Sequence, residues 1–303
     1  MVYKVFDQKF DGLYDESLPW GRWHAQRDGR GETGVIIEYL FSIALFVFLL
    51  GSIMIMGSLI STDDISINLT NKNLEPSLNH LFGTDWVGRD MFYRTIKGLS
   101  LSMKVGFLAS FISGTIALTL GVIGATLGKT VDNIITWIID LILSVPHALI
   151  VILISISVGG GFKGIVLGVS LTHWPSLTRV IRAEIMQIRE SDYVKISKKF
   201  GKSNLYIAIE HIIPHIIPQL LIGIVLIFPH AVLHEASITF LGFGLPPHEP
   251  AIGIILSESM KYLNSGRWWL VFFPGLSLVM VSLMVDNIGK QVNKLINPKT
   301  AYK

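Results

Sequence analysis

The sequence predicts an all-α membrane protein with six transmembrane helices, and three observations carry that prediction: its composition, the spacing of its charges, and the distribution of its basic residues. Of 303 residues, 50% are hydrophobic and 16% charged, against about 25% charged in an ordinary soluble domain. That imbalance argues against a water-soluble enzyme. The absence of cysteine excludes disulfides, zinc knuckles, iron–sulfur clusters and thiol nucleophiles. A net charge of +3 is too small to mark a nucleic-acid binder by its field.

A helix rising about 1.5 Å per residue needs about 20 apolar residues to cross a hydrocarbon core of about 30 Å. Uncharged windows therefore count spans. They run over Tyr39–Thr62, Val105–Gly128, Leu141–Phe162, Gly164–Thr178, His211–His234 and Trp268–Val285. The fourth window is only 15 residues long, but Arg179 and Arg182 have stems that reach a headgroup region from a helix end. Six spans put both termini on one side. The segments that would share that side, 1–35, 128–132, 179–210 and 287–303, hold 17 Lys and Arg, and the opposite connections hold seven. The basic excess places both termini in the cytoplasm, and the absence of an apolar run before Val35 argues against a signal peptide.

Element by element, residues 1–35 read as a polar cytoplasmic arm in which Trp20, Trp23 and His24 could lie on the membrane surface. Residues 36–98 comprise the first span, about 36–60, and an outer segment with the turn-formers Asp63, Asp64, Asn71, Asn73 and Pro76. Residues 99–291 form the transmembrane core, with spans at about 99–127, 133–158, 163–181 and 216–240 and a sixth ending near Ile288. The third should kink at Pro146, whose ring removes a backbone donor. An amphipathic helix is expected over Ile252–Leu263, and 292–303 is a cytoplasmic tail. Gly124 and Gly128-Lys129-Thr130 imitate a phosphate loop, but with three residues between the glycines instead of four and a membrane helix ahead of them.

The hydrophilic stretch 182–214 is too long for a mere turn. Glu184, Arg189, Glu190, Asp192, Lys195 and Lys198 alternate with Ile185, Ile188, Tyr193, Ile196 and Phe200, which suits a docked helical pair broken at Gly201. A solvated loop is the other reading.

Three separated segments then resemble one family. Asp192-Tyr193-Val194-Lys195-Ile196-Ser197, with Gly201 and His211-Ile212-Ile213-Pro214 at matching distances, resembles the E-A-A-x3-G-x9-I-x-L-P segment of ABC importer permeases. His80 to Asp90, including Gly83, Asp85, Gly88, Arg89 and Asp90, resembles the H-P-L-G-T-D-x-x-G-R-D segment of the dipeptide, oligopeptide and nickel permeases. Glu235 to Gly244 resembles their E-A-S-L-S-F-L-G-L-G, and Asp140 with Pro146 fits their D-x5-P pattern. The departures are Lys195, where the family has glutamate, Ile196 and Ser197, where it has two alanines, and Leu81, where it has proline.

The resemblance implies a type I ABC importer permease fold with a cytoplasmic coupling helix, in a prokaryotic inner membrane. It implies as partners a second homologous permease, two ATP-binding subunits that hold ATP and Mg, and an extracytoplasmic solute-binding protein. This chain would carry no cofactor and no catalytic residue, and it would bind no nucleic acid. Asp192, Tyr193, Lys195, Ser197, Gly201 and Pro214 would face the ATPase, and Lys195 would require an acidic partner or none.

Charged groups inside spans are costly and so suggest function. Asp140 should pair with a basic residue of another span. Glu235 either lines the pathway or makes an interhelical hydrogen bond. His230 and His234, at i and i+4, share a helix face and could touch a metal ion or chelate, or simply hydrogen-bond between helices; no metal is specified. Glu249, Glu258, Tyr262 and Trp268 are candidates for the contact with the binding protein. The solute is nickel, as ion or chelate, or a di- or oligopeptide. A stand-alone secondary transporter or channel is the alternative from another class, although such proteins usually show matching halves and none is visible here.

Overall fold

A computed structural model describes residues 32–61 and 63–296. The expected N-terminal arm up to residue 31 and the tail beyond 296 lie outside the described residues. Among the described residues every long element is a helix, and the one extended pairing is an isolated bridge between Thr84 and Asp90.

The first helix, α1 (Glu32–Leu59), is apolar around its circumference, as a helix in lipid should be. Its first turns belong to a compact unit ending at Ser42, distinct from Ile43–Lys303; within them Ile36, Ile37, Leu40 and Phe41 are exposed. Helix α2 (Met91–Thr126) begins about two turns before the expected 99 because Asp90 caps it, accepting hydrogen bonds from the Phe92 and Tyr93 N–H groups. Arg94 and Lys97, which read as loop charges, are thus helical.

The expected third span is two helices. Helix α3 (Lys129–Ser144) stops before Val145-Pro146, and α4 (His147–Ser157) restarts at an angle of 98° to it. Proline cannot continue the ladder of α3 and disfavours a helical Val145, but it suits the start of α4. Helix α5 (Gly161–Arg189) continues past the expected 181, absorbing Arg182–Arg189. Then come α6 (Asp192–Lys199), α7 (Asn204–Ile207), a π-turn at Ala208–Ile212, α8 (Ile213–Phe240), α9 (Ile252–Met260) and α10 (Trp269–Ile296). Four helical stretches among the described residues are long and apolar enough to cross a membrane, and the broken α3–α4 pair would make a fifth. The 29-residue α5 is long enough but too polar to join them.

Small residues bring the helices together. A side chain at Gly106 or Gly114 of α2 would collide with Val232 or Ile224 of α8, and one at Gly121 would collide with Ile181 of α5. Gly164 and Gly168, spaced as a G-x-x-x-G pair, lie against the Ser155 and Val151 carbonyls of α4; a Cβ there would sit 2.7 and 2.8 Å from those oxygens. This is how membrane helices, which gain nothing from leaving lipid tails, secure close packing. One apolar core joins α2, α3, α5 and α8 through Ile139, Ile181, Ile185 and Ile216. Another joins α2, α8, α9 and α10 through Met91, Leu99, Ile255 and Leu270.

Candidate functional site

The residues singled out in the sequence fall into three places. The first is the turn around Asp85. Gly83 and Gly88 adopt φ of 69° and 81°, a region open to glycine at little cost, and so wrap the chain around a fully buried carboxylate. Asp85 Oδ1 accepts from the Val87 and Arg89 N–H groups at 3.0 and 2.9 Å, while Oδ2 accepts from Arg89 Nε at 2.6 Å and Arg94 Nη1 at 3.3 Å. Glu258 of α9 closes the network, 2.5 Å from Arg94 Nη2 and 3.4 Å from Arg89 Nη2. Asp90 caps α2 and also pairs with His80 Nδ1 at 2.7 Å. Trp86 stacks on Tyr262 with centroids 4.5 Å apart. Glu258 and Tyr262, expected to face a binding protein, are therefore committed within the chain, whereas Trp268 is exposed. Arg94 is the member that the sequence left unnoticed.

The second place lies among the membrane helices. Asp140 pairs with Arg179 of α5, which supplies the partner that the sequence could not name, and both side chains remain half-exposed. One turn further along α5, Arg182 pairs with Asp132, and Arg189 donates to the Ala125 carbonyl. Three arginines of α5 thus hold α3 and the end of α2. Glu235 is fully buried and accepts from Thr239 Oγ1 at 2.9 Å. Its other oxygen, close to Ser102 of α2, takes no partner at ordinary hydrogen-bonding distance. Glu235 is thus buried beside Ser102 of α2, while the hydrogen bond it accepts, from Thr239, lies within α8 rather than between helices.

Of the two expected histidines, His234 alone belongs to a cluster. His234 meets His147 at the start of α4 and His173 in the middle of α5, with ring centroids 4.3 and 5.2 Å away, and His147 and His173 are 4.4 Å apart. His230 is exposed one turn away and outside this set. Its exclusion is not a matter of reach, since α5 runs on past it and sets Leu177 against Gly223 of α8. The packing of α5 on α4 makes the set: from Gly164 against Ser155 and Gly168 against Val151, one more step of four along each antiparallel helix brings the 172–173 region to His147.

The third place is 190–214. Helix α6 has one buried residue, Val194, while Tyr193, Ile196 and Phe200 are exposed, Phe200 to 81%. Gly201, at φ 76°, ends it: its N–H donates to the Lys198 carbonyl, that of Lys202 donates to Ser197, and a Cβ at Gly201 would meet open space. Lys195 finds its acidic partner within the chain, Glu190 at 2.9 Å, which holds the Glu190 carboxyl below its usual range. Ser197 hydrogen-bonds His211 Nε2 at 2.9 Å. Asp192 lies in the first turn of α6, where a carboxylate complements the helix dipole. Pro214 follows the π-turn at the head of α8.

Residues 117–298 match the family described as "Binding-protein-dependent transport system inner membrane component". The chain is 32% identical to the dipeptide transport system permease protein DppC of Alkalihalophilus pseudofirmus, the alignment covering 88% of this chain and 84% of that one. With DppC of Bacillus subtilis it is 30% identical, over 85% and 80% of the two chains. With the probable D,D-dipeptide transport system permease protein DdpC of Escherichia coli it is 29% identical, over 86% and 87%. Among solved structures it resembles a chain of the inward-facing MetNI methionine ABC transporter, with TM-score 0.50 and 16% identity over 67% of this chain and 97% of that one. That likeness is one of fold alone.

Proposed function

Because this chain belongs to the binding-protein-dependent transport inner membrane family, as an ABC importer permease of the dipeptide/oligopeptide group, we propose that it is one of two pore-forming subunits of an ATP-driven importer. Two ATPase subunits bind on the cytoplasmic side, and a solute-binding protein docks on the other. Both termini are cytoplasmic, as the basic excess requires. Six spans are then needed: α5 crosses despite its polarity, and the broken α3–α4 pair counts as one.

The observation that carries this reading is the exposed apolar face of α6, bearing Tyr193, Ile196 and Phe200 beside Lys198 and Lys199. A short helix with so little buried against its own chain suits a groove on another subunit. Here it acts as the coupling helix, and Gly201 sets its exit angle. Closure of the ATPases on ATP moves α6, and with it rock α5, which precedes it, and α8, which follows α7 and the π-turn, to open the pathway alternately to each side.

The relatives are named for dipeptide and peptide transport, so di- and oligopeptides are the proposed solutes. Nickel, as ion or chelate, is the second reading, favoured by the imidazoles around His234. The experiment is uptake in vesicles holding the chain with its co-expressed partners and a candidate binding protein. ATP-dependent accumulation of labelled peptide, lost when this chain is omitted, is expected. Uptake by this chain alone, without ATPase subunits, would establish the stand-alone transporter instead.

A further inference from the structure

We infer that His147, His173 and His234 form a binding site for a divalent transition-metal ion of the nickel, copper or zinc class. The inference goes beyond the transport reading and needs only these three side chains, whichever solute the importer carries.

One nitrogen of each ring lies within 4.8 Å of those of the other two, a spacing that a single ion can span with small rotamer changes. The nitrogens are also prepared for it. His173 Nδ1 stands 2.8 Å from the Val169 carbonyl. A carbonyl can only accept, so Nδ1 carries the proton and Nε2 keeps its lone pair free. That is the arrangement in which metal-binding histidines are held: the outer nitrogen donates to a carbonyl and the inner one ligates. Both nitrogens of His147 are buried and have no hydrogen-bond partner, and no hydrogen bond joins any two of the three rings among the described residues. Leaving such groups unpaired away from water is costly. If the rings merely packed, they would be expected to pair with one another.

The donor set selects the ion. Three neutral imidazoles with no carboxylate suit nickel, copper and zinc over magnesium or calcium. Three protein ligands also leave a coordination position open, as in zinc sites that exchange a ligand. Because His147 is the first residue of α4 after the 98° bend, an ion there would fasten the bend to α5 and α8.

The test uses the full-length chain, purified in detergent with the partner subunits that accompany it, stripped with a chelator and dialysed against Ni²⁺, Zn²⁺ or Co²⁺. About one ion retained per chain is expected, with affinity falling at least about tenfold in His147→Gln and in His173→Gln and unchanged in His248→Gln. Retention that is absent, or that survives both substitutions, overturns the site. A variant that keeps a ligand guards against misfolding. The chain has no cysteine, so His234→Cys introduces a single thiol, and Co²⁺ should produce a thiolate-to-metal charge-transfer band that disappears when His173→Gln is added. A well-folded His234→Cys protein lacking that band also overturns the proposal.

Discussion

The turn around Asp85 and the segment around Gly201 are both short, glycine-shaped and rich in charge, yet they differ in where their polar and apolar groups go. In the Asp85 turn both carboxylate oxygens are taken by two backbone N–H groups and two arginines, and Glu258 binds those arginines in turn. Neither oxygen of Asp85 is left for a partner to take. Around Gly201 the ion pair of Lys195 with Glu190 is exposed, and Tyr193, Ile196 and Phe200 face outward. The first region stores stability and the second stores contacts not yet made. A motif in a sequence does not say which kind it is; the saturation of its polar groups does.

The comparison breaks most directly at Asp85. Asp85→Ala leaves the nearly buried Arg94 short of one carboxylate, and removing one partner of a buried pair costs about 3–5 kcal/mol. Thermal unfolding in detergent should show a large fall in midpoint. An unchanged midpoint would mean that the turn is not a lock.

Gly168→Leu should come next. The new side chain meets the Val151 backbone carbonyl of α4, 2.8 Å from the Cβ position, and backbone yields less easily than a side-chain tip. Overpacking of this kind costs about 1–3 kcal/mol. Unlike Asp85→Ala, this variant should also separate His147 from His173, so the two differ in metal retention as well as in midpoint.

Gly201→Leu sharpens the contrast. It meets no neighbour, so its cost is conformational, about 1 kcal/mol for a side chain at φ 76°. The proposed function requires more than that: ATP hydrolysis by the assembled importer should persist while solute uptake falls to background. Uptake at the wild-type rate would reduce Gly201 to a helix terminator. Phe200→Ser is milder still for the chain itself. Its ring is 81% exposed, and exposed substitutions stay within about 0.5 kcal/mol, yet co-purification of the ATPase subunits should drop.

The sequence made the helical class and the Gly201 break legible because both rest on local features, charge spacing and φ freedom. It also located the kink at Pro146, but not that the kink is a full break. It missed the start of α2, because Arg94 and Lys97 look like loop charges until Asp90 is seen to cap the helix. The partners of Asp140 and Asp132 were illegible for a different reason. Arg179 and Arg182 lie some 40 to 50 positions away in sequence, and only the packing of α3 on α5 chooses between them. The histidines show the same limit: i, i+4 spacing relates residues on one helix, and the set that forms draws on three.

The smallest expected effect on stability is at Lys195, and it bears most directly on how this chain departs from the family segment it resembles. Lys195 holds the Glu190 carboxyl below its usual range, so the pair's contribution is present at neutral pH and is lost only as pH falls through that lowered value. Glu190 is fully exposed, where solvent and salt screen the pair, so neither pH 7 against pH 5 nor Lys195→Glu should move the unfolding midpoint measurably. The consequence should appear in binding instead. Lys195→Glu puts two acidic side chains side by side at the edge of the proposed coupling helix and restores the family's residue without its setting. If the ATPase groove has adapted to Lys195, that variant should weaken ATPase association most at low salt, and adding Glu190→Lys should recover part of it. If α6 docks through Tyr193, Ile196 and Phe200 alone, association should be unchanged at every ionic strength.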